Sequence, residues 1–217
     1  GAKVHFLRAR ARFVRWWAEH RGRFERFDRA FVAGLQAAAE EDWPAAEKAF
    51  ATAQEVWPRR LCAAYNRAVA MLKQERFAEA EPILLRLTTQ RPKETLFWLR
   101  LGDCRRKQGR RDDALQAYRQ AAQQGEIGQE LAARLGVALA EEGKEEEAAR
   151  TLDKALGPDP DADELEEISN LLESAGSYSL ALRYRDAALQ KSLEKGFDFG
   201  YPKFKIPAVA GILAGVI

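Results

Sequence analysis

The chain has 217 residues, of which 47% are hydrophobic and 31% charged, which is the composition of a folded protein with a well-solvated surface. Its 35 basic residues are nearly balanced by 33 acidic ones, so a formal charge of +2 excludes the overall basic surface of a nucleic-acid-binding protein and leaves only a local patch for that role. Two cysteines, Cys62 and Cys104, are too few for a disulfide framework, and neither has the spacing of zinc ligands.

The chain begins with an arginine-rich and aromatic segment, residues 1–26. Its arginines are Arg8, Arg10, Arg12, Arg15, Arg21, Arg23 and Arg26, and its aromatic side chains are Phe6, Phe13, Trp16, Trp17 and Phe24. Such a mixture is typical of segments that bind RNA or an anionic membrane surface. We favour an additional helix in which Phe13 and Trp17 pack on the unit that follows, while the arginines extend into solvent. Because charges also interrupt any signal-peptide pattern, we expect a cytoplasmic protein.

After this segment, one pattern of small and bulky residues recurs every 33 or 34 positions. Each copy has a small residue and an alanine 12 positions later, and four copies have a bulky side chain 16 positions later. The copies begin at Gly34, Ala68, Gly102, Gly136 and Ser169, and the bulky side chains are Phe50, Leu84, Tyr118 and Leu152. In the last copy Arg185 takes the bulky position. A fixed period of this length predicts stacked units with a continuous core, and we expect the weaker last copy to be the end cap.

The pattern resembles the tetratricopeptide repeat family, whose 34-residue helix-turn-helix unit carries Trp-x2-Leu-Gly, then an alanine, an aromatic residue and a proline. Trp98, Leu101 and Gly102 reproduce the opening of that unit in full. The resemblance covers about residues 27–194 and implies an all-α solenoid of about five units. The expected units are 27–60, 61–94, 95–128, 129–161 and 162–194.

The residue types also predict this fold on physical grounds. Small residues such as Gly102 and Ala114 suit helix faces where two backbones approach closely, because a larger side chain would separate the helices. Gly109, Gly143 and Gly176 fall at the turn within their units, where a helix commonly ends in a left-handed residue. No alternating run of β-branched residues competes with the helical pattern, so we expect an all-α protein.

The last segment, residues 195–217, does not continue the repeat. Its residues Ile206–Ile217 form an uninterrupted apolar run that is shorter than the roughly 20 residues needed to span a bilayer as a helix. One alternative is the first part of a longer membrane anchor, with Lys203 and Lys205 as its positive flank. The other, which we favour, is a docking segment that lies in a groove, with its own last helices as a further place to pack. If the groove belongs to a neighbouring copy, the segment allows self-association.

The sequence offers little for catalysis. The only histidines, His5 and His20, lie 15 positions apart in the N-terminal segment. Carboxylate runs such as Glu145–Glu147 fall at helix ends, where they are solvated or favour the first turn. Nucleotide-binding and nucleophile-elbow motifs are absent from the sequence. We therefore expect that the protein is not an enzyme and binds no metal or cofactor.

In such a solenoid the first helix of each unit lines the concave face, where partners bind. The candidate groove residues are Phe31, Leu35, Tyr65, Asn66, Val69, Leu72, Lys73, Leu96, Leu99, Arg100, Arg106, Lys107 and Arg134, with Asp103, Ala133 and Val137 between them. The first half of this set is apolar and its middle is basic, which suits a peptide with hydrophobic anchors and an acidic end.

Some co-chaperone members of the family hold a C-terminal carboxylate with a set of Lys, Asn and Arg residues. Only Asn66 and Arg100 match that set here, so we do not expect the same clamp. The predicted function is a protein-interaction scaffold that binds a partner's hydrophobic segment in the groove and helps to assemble a complex. The alternative is a membrane-associated assembly factor held by its N- or C-terminal segment. RNA binding through the N-terminal arginines and tryptophans is a third and less expected role, ahead only of an enzyme.

Overall fold

The computed structural model describes residues 2–124 and 128–195, except for the side chains of residues 2–11, 13, 129, 194 and 195. Within these residues the secondary structure consists of ten α-helices, with no strand. They are α1 (Ala2–Ala39), α2 (Trp43–Val56), α3 (Leu61–Lys73), α4 (Phe77–Gln90), α5 (Thr95–Lys107), α6 (Arg111–Gln123), α7 (Gln129–Glu141), α8 (Glu145–Leu156), α9 (Ala162–Ser174) and α10 (Tyr178–Lys195). The predicted all-α fold is confirmed.

The helices form a solenoid of helix-turn-helix units. Consecutive helices contact each other from α1 to α8, and α9 packs on α10. The first helices of neighbouring units also meet, since α3 contacts α5 and α7 contacts α9. These first helices therefore lie side by side along one face of the molecule.

The small residues of the repeat lie where a bulky side chain of the next helix packs against them. A Cβ atom added to Gly102 would lie 2.3 Å from the Tyr118 ring, and one added to Gly136 would lie 2.5 Å from Leu152. Both bulky side chains are fully buried. The close approach predicted for these positions is therefore present, and it sets the spacing of the two helices within a unit.

Local signals begin and end the helices. The Asp42 carboxylate accepts a hydrogen bond of 3.0 Å from the Ala45 amide and caps α2. Gly109 ends the turn after α5 with φ +78°, and Glu75 adopts the equivalent left-handed conformation one unit earlier with φ +59°. A glycine at this position is thus favoured but not required.

The N-terminal segment is the first part of α1 and not a separate helix. No proline or left-handed residue interrupts the backbone near Arg26, so one helix runs from Ala2 to Ala39. It is tied to the first unit by Arg23, whose Nε donates a hydrogen bond of 2.7 Å to the carbonyl of Val56. Trp17 is 43% exposed and contacts Phe24 on the same helix. Its predicted partner in packing, Phe13, has a side chain outside the described part.

The fifth unit packs closely although it lacks the usual bulky residue. Ser169 takes the small position and donates a buried hydrogen bond of 2.8 Å to the carbonyl of Ala181. Tyr184 is buried and donates a hydrogen bond of 2.8 Å to Asp153 in the preceding unit. Arg185 is exposed and forms an ion pair of 2.5 Å with Glu173. The side chain at position 185 is thus exposed, and the adjacent Tyr184 is buried against the preceding unit.

The tail lies outside the described residues, so the prediction that Ile206–Ile217 occupies a groove is untested. Among the helices that the structure describes, none is both long enough and apolar enough to span a bilayer.

Candidate partner-binding groove

An open groove of about 560 Å³ lies on the face formed by α3, α5 and α7. Seven of the predicted groove residues line it, namely Val69, Leu72, Lys73, Arg100, Arg106, Lys107 and Arg134. Glu75, Phe77, Asp103 and Glu130 complete its surface. These side chains meet because α3 and α5 lie side by side and the successive turns of each helix face the same direction.

The other predicted groove residues lie outside this central groove. Leu35 and Leu96 are exposed apolar side chains, and Phe31 is half-buried between Phe27 and Phe50 with ring centroids 5.5 Å from each. Tyr65 packs on Phe97, with ring centroids 5.5 Å apart. Asn66 donates a hydrogen bond of 2.9 Å to the carbonyl of Cys62 on its own helix.

Leu99 is a correction to the predicted set, because it is only 2% exposed. It lies in the core shared by units three and four, where it packs with Ala114, Leu131 and Leu135. Val137 is buried in the same core with 3% exposure. Helical spacing predicts both side chains on the groove side, but in the structure they are buried at the contact between units three and four.

Four charged residues in the middle of the groove form ion pairs with one another. We call them the central cluster, which consists of Arg100, Asp103, Glu130 and Arg134. Arg100 lies 3.0 Å from both Asp103 and Glu130, and Arg134 lies 3.0 Å from Asp103 and 3.2 Å from Glu130. Tyr118 donates a hydrogen bond of 2.9 Å to Asp103 from the core below. Two arginines thus share two carboxylates, so the middle of the groove is not the basic surface that the sequence predicts.

Arg106 is also neutralised within the protein. Its guanidinium approaches Glu141 of α7 to 2.6 Å, and the Glu141 side chain is only 6% exposed. The hydrogen bond to Glu141 raises the pKa of Arg106. This pair joins the first helices of units three and four and holds Arg106 at the surface of the groove.

The lysines at the edge of the groove carry its accessible positive charge. Lys107 is exposed and makes no hydrogen bond or ion pair with any residue in the described ranges. Lys73 is exposed, and its Nζ lies 5.5 Å from the centre of the Trp43 ring. Both ammonium groups therefore remain accessible to a partner's carboxylates.

A second section of the groove, outside the residues predicted from the sequence, lies between α7 and α9. Glu164, Glu167, Ile168 and Leu171 of α9 line it together with Ala133 of α7. The signal was present as apolar and acidic residues at helical spacing in the first helix of the fifth unit. The groove thus changes from lysine-edged at α3 and α5 to acidic at α9.

Within the described side chains, the residues considered for catalysis do not assemble a site, and the side chain of His5 lies outside that part. His20 stacks on Trp16 with ring centroids 4.7 Å apart, and its Nδ1 lies 2.8 Å from the Trp16 carbonyl. Burial raises the pKa of the Cys104 thiol, whose Sγ lies 3.3 Å from the carbonyl of Phe77. In the described part of the chain, no group of three His, Cys, Asp or Glu side chains is arranged to hold a metal ion.

A solenoid of helix pairs with an open groove along its first helices defines a class of repeat proteins that act through contacts with other proteins. The sequence model described as "Tetratricopeptide repeat" matches residues 31–95, 71–127 and 99–163. Because these matches span more than half of the 217 residues, the chain belongs to the tetratricopeptide repeat family. Proteins of this family are protein-interaction scaffolds. No curated protein matches the sequence.

Solved structures of the same fold include a thermophilic tetratricopeptide repeat protein, TTC0263 from Thermus thermophilus. It is 21% identical, with 77% of this chain and 92% of that one covered and a TM-score of 0.60. A MamA protein is 16% identical, with 84% and 99% covered and a TM-score of 0.64. MamA from Desulfovibrio magneticus RS-1 is 19% identical, with 67% and 81% covered and a TM-score of 0.57. At these identities the likeness concerns the fold.

Proposed function

We propose that the protein is a scaffold that holds a segment of a partner protein in the groove between α3, α5 and α7 and so helps to assemble a complex. One observation carries this proposal. The arginines of the groove form ion pairs within the protein, whereas the ammonium groups of Lys73 and Lys107 at the edge of the groove remain accessible. A floor held by ion pairs gives a groove that is already shaped before a partner binds, which lowers the entropic cost of binding.

The groove chemistry supports a partner with apolar anchors and nearby carboxylates. Val69, Leu72 and Phe77 are half-buried and leave apolar surface on the α3 side of the groove. Lys73 and Lys107 lie at its edge and attract negative charge. Apolar side chains of the partner would supply most of the affinity, while its carboxylates would set orientation and association rate.

The test compares charge reversal inside and outside the groove. Lys73→Glu with Lys107→Glu changes the groove edge, and Lys48→Glu with Lys93→Glu makes the same change of net charge at exposed positions elsewhere. Proteins captured from the native host by the unchanged chain are quantified for both variants by mass spectrometry. We expect a group of partners to be lost with the groove variant and retained with the control. Equal capture by the two variants would overturn the proposal.

A second candidate function is association with an anionic membrane surface through the N-terminal half of α1. The observation in its favour is that Val14, Trp16 and Trp17 are 56%, 44% and 43% exposed, next to the exposed Arg12 and Arg15. Tryptophan and arginine together suit the interface between lipid headgroups and acyl chains.

Sedimentation with vesicles tests this second function. Phosphatidylserine-containing vesicles should bind the protein, and replacement of Trp16 and Trp17 by Ser should reduce binding at least ten-fold. Vesicles of phosphatidylcholine alone serve as the control for charge. If the tryptophan variant sediments like the unchanged protein, the aromatic residues have no part in membrane binding.

A further inference from the structure

The last helix, α10, carries an apolar stripe on its exposed side. The stripe consists of four side chains that are 65%, 55%, 59% and 62% exposed, namely Tyr178, Leu182, Leu189 and Leu193. Their spacing places them along one side of the helix. The buried side of α10 is formed by different residues, which include Leu180, Tyr184 and Ala188. The helix is therefore apolar on two sides, and only one of them packs on the described part of the solenoid.

The equivalent positions of the preceding unit, on α8, show which surface of a unit the stripe corresponds to. The residues 33 positions before Leu182 and Leu189 are Ala149 and Leu156 on α8. Ala149 is 6% exposed and belongs to the core that includes Leu165 and Ile168 of α9, and Leu156 packs against that core. In α8 this side of the helix therefore belongs to the contact with the following unit. Leu182 and Leu189, the middle of the stripe, thus take the positions of this contact surface at the end of the described chain, whereas the equivalents of Tyr178 and Leu193 are Glu145 and Pro160.

We propose that Phe197, Phe199 and Tyr201, which follow α10 directly, fold back along it and cover this stripe. The chain course within the solenoid supports the assignment. After α8 only five residues separate Leu156 from the start of α9 at Ala162, and α9 then supplies Leu165 and Ile168 to the core that contains Ala149. In the sequence Gly196 comes directly after the last described residue of α10, and glycine commonly reverses the chain at the end of a helix.

The spacing of the aromatic residues matches the spacing of the stripe. Residues at alternate positions of an extended chain lie on one side, about 6.6 Å apart. Residues four apart on a helix are separated by about 6 Å along its axis. An extended segment running antiparallel to α10 therefore brings Phe197 next to Leu193 and Phe199 next to Leu189. Tyr201 then reaches Arg185, whose guanidinium can pack on an aromatic ring.

A second copy of the chain is a weaker candidate for covering the stripe. Four side chains that each expose roughly 100 Å² would bury about 800 Å² in a symmetric dimer, below the about 1,200 Å² of stable interfaces. The aromatic segment is already tethered to the end of the same helix. Its effective concentration at the stripe is therefore in the millimolar range, well above that of a second molecule in dilute solution.

Disulfide trapping tests the position of the segment. In a Cys62→Ser background the buried Cys104 stays in place, and Leu189→Cys is combined with Phe199→Cys. The matched control combines Gln190→Cys with Phe199→Cys. Gln190 is exposed and lies at almost the same position along the helix axis as Leu189, but is rotated from it by about 100° around the helix. We expect the first pair to form an intramolecular disulfide at least ten-fold faster than the control. Equal rates, or a disulfide between two molecules, would overturn the proposal.

Hydrogen exchange gives a second test that leaves the stripe unchanged. Phe197→Ser with Phe199→Ser should increase amide exchange at least ten-fold over residues 189–195 of α10, and exchange in α3 should not change. Lys203→Ser with Lys205→Ser, in the same segment, should leave α10 protected. If α10 exchanges at the same rate in all three proteins, the aromatic residues do not cover it.

Discussion

At Gly102 the absence of a side chain is what allows Tyr118 to be buried. The ring of Tyr118 occupies the space that a Cβ atom would need, and its hydroxyl reaches Asp103 beneath the groove. Unit two solves the same problem with Ala68 opposite Leu84, both fully buried. In unit four, however, Leu152 packs directly on Gly136, so the size of the bulky residue alone does not decide which small residue fits. The pair, and not either residue alone, is therefore the unit of packing.

This pairing predicts coupled effects on stability. Gly102→Ala should lower the free energy of unfolding by about 1–3 kcal/mol, because its Cβ would overlap the Tyr118 ring. Tyr118→Leu should also be destabilising, since it removes ring volume and a hydrogen bond. The double variant should lose less than the sum of the two, because it recreates the pair found in unit two. Urea unfolding of the four proteins measures the coupling, and strictly additive losses would contradict it.

The buried tyrosines predict how stability responds to alkali. Burial, reinforced by the neighbouring Asp103 carboxylate, raises the pKa of Tyr118 above its ordinary value near 10. In the unfolded chain this phenol ionises near pH 10, whereas in the folded protein it stays protonated. Its contribution to stability is therefore complete below pH 10 and decreases above it, by up to about 1.4 kcal/mol per pH unit. Tyr118→Phe should flatten this decline between pH 10 and 11 in urea titrations. An unchanged slope would mean that Tyr118 is accessible to hydroxide.

At the scale of helices, α5 and α7 are held together by two kinds of ion pair. Glu141 is 6% exposed where it meets Arg106, whereas Glu130 is 48% exposed where it meets Arg100. A buried pair that loses one partner leaves a charge without compensation, and an exposed pair does not. The two glutamates should therefore differ in their contribution to stability although both bridge the same helices.

Replacing each glutamate separately tests this difference. Glu141→Gln should lower the free energy of unfolding by about 1–3 kcal/mol, because Arg106 is left half-buried without its carboxylate. Glu130→Gln should cost less than about 1 kcal/mol, since water and Asp103 remain available to Arg100 and Arg134. Thermal unfolding at constant pH measures both. Equal losses from the two substitutions would show that burial does not decide the strength of these pairs.

The same two helices show what the sequence could and could not predict. The period of 34 residues predicted the helix pairs, since in four copies a small residue is followed by a bulky partner 16 positions later. It could not predict the central cluster, because Arg100 and Glu130 lie in different units and meet only at the angle at which those units stack. The prediction that Leu99 faces the groove is wrong for a related reason. Whether a side chain of α5 faces the groove or the core depends on how the neighbouring unit packs against that helix. No proline near Arg26 marks a helix end, so the sequence was compatible with a continuous α1, and the predicted boundary at residue 26 followed composition and the start of the repeat instead.

At the scale of the molecule, the core is divided along the solenoid. The largest cluster joins α5 to α10 and includes Tyr118, Leu152 and Tyr184. A second cluster around Leu84 joins units two and three, and two small clusters around Phe27 and Phe50 hold the first unit. In such an array each unit gains stability only from its neighbours, so the ends can open without the middle.

Hydrogen exchange after matched core deletions tests this division. Leu152→Ala should cost about 2–5 kcal/mol and reduce amide protection in α7 to α9, because it leaves a cavity in the largest cluster. Protection in α1 and α2 should stay within about two-fold of that in the unchanged protein, since no shared cluster joins them to Leu152. Phe50→Ala should show the reverse, with α1 to α3 exchanging faster and α8 and α9 unaffected. If either substitution raises exchange equally in all ten helices, the solenoid unfolds as a single cooperative unit, and a partner that binds the groove stabilises the whole molecule at once.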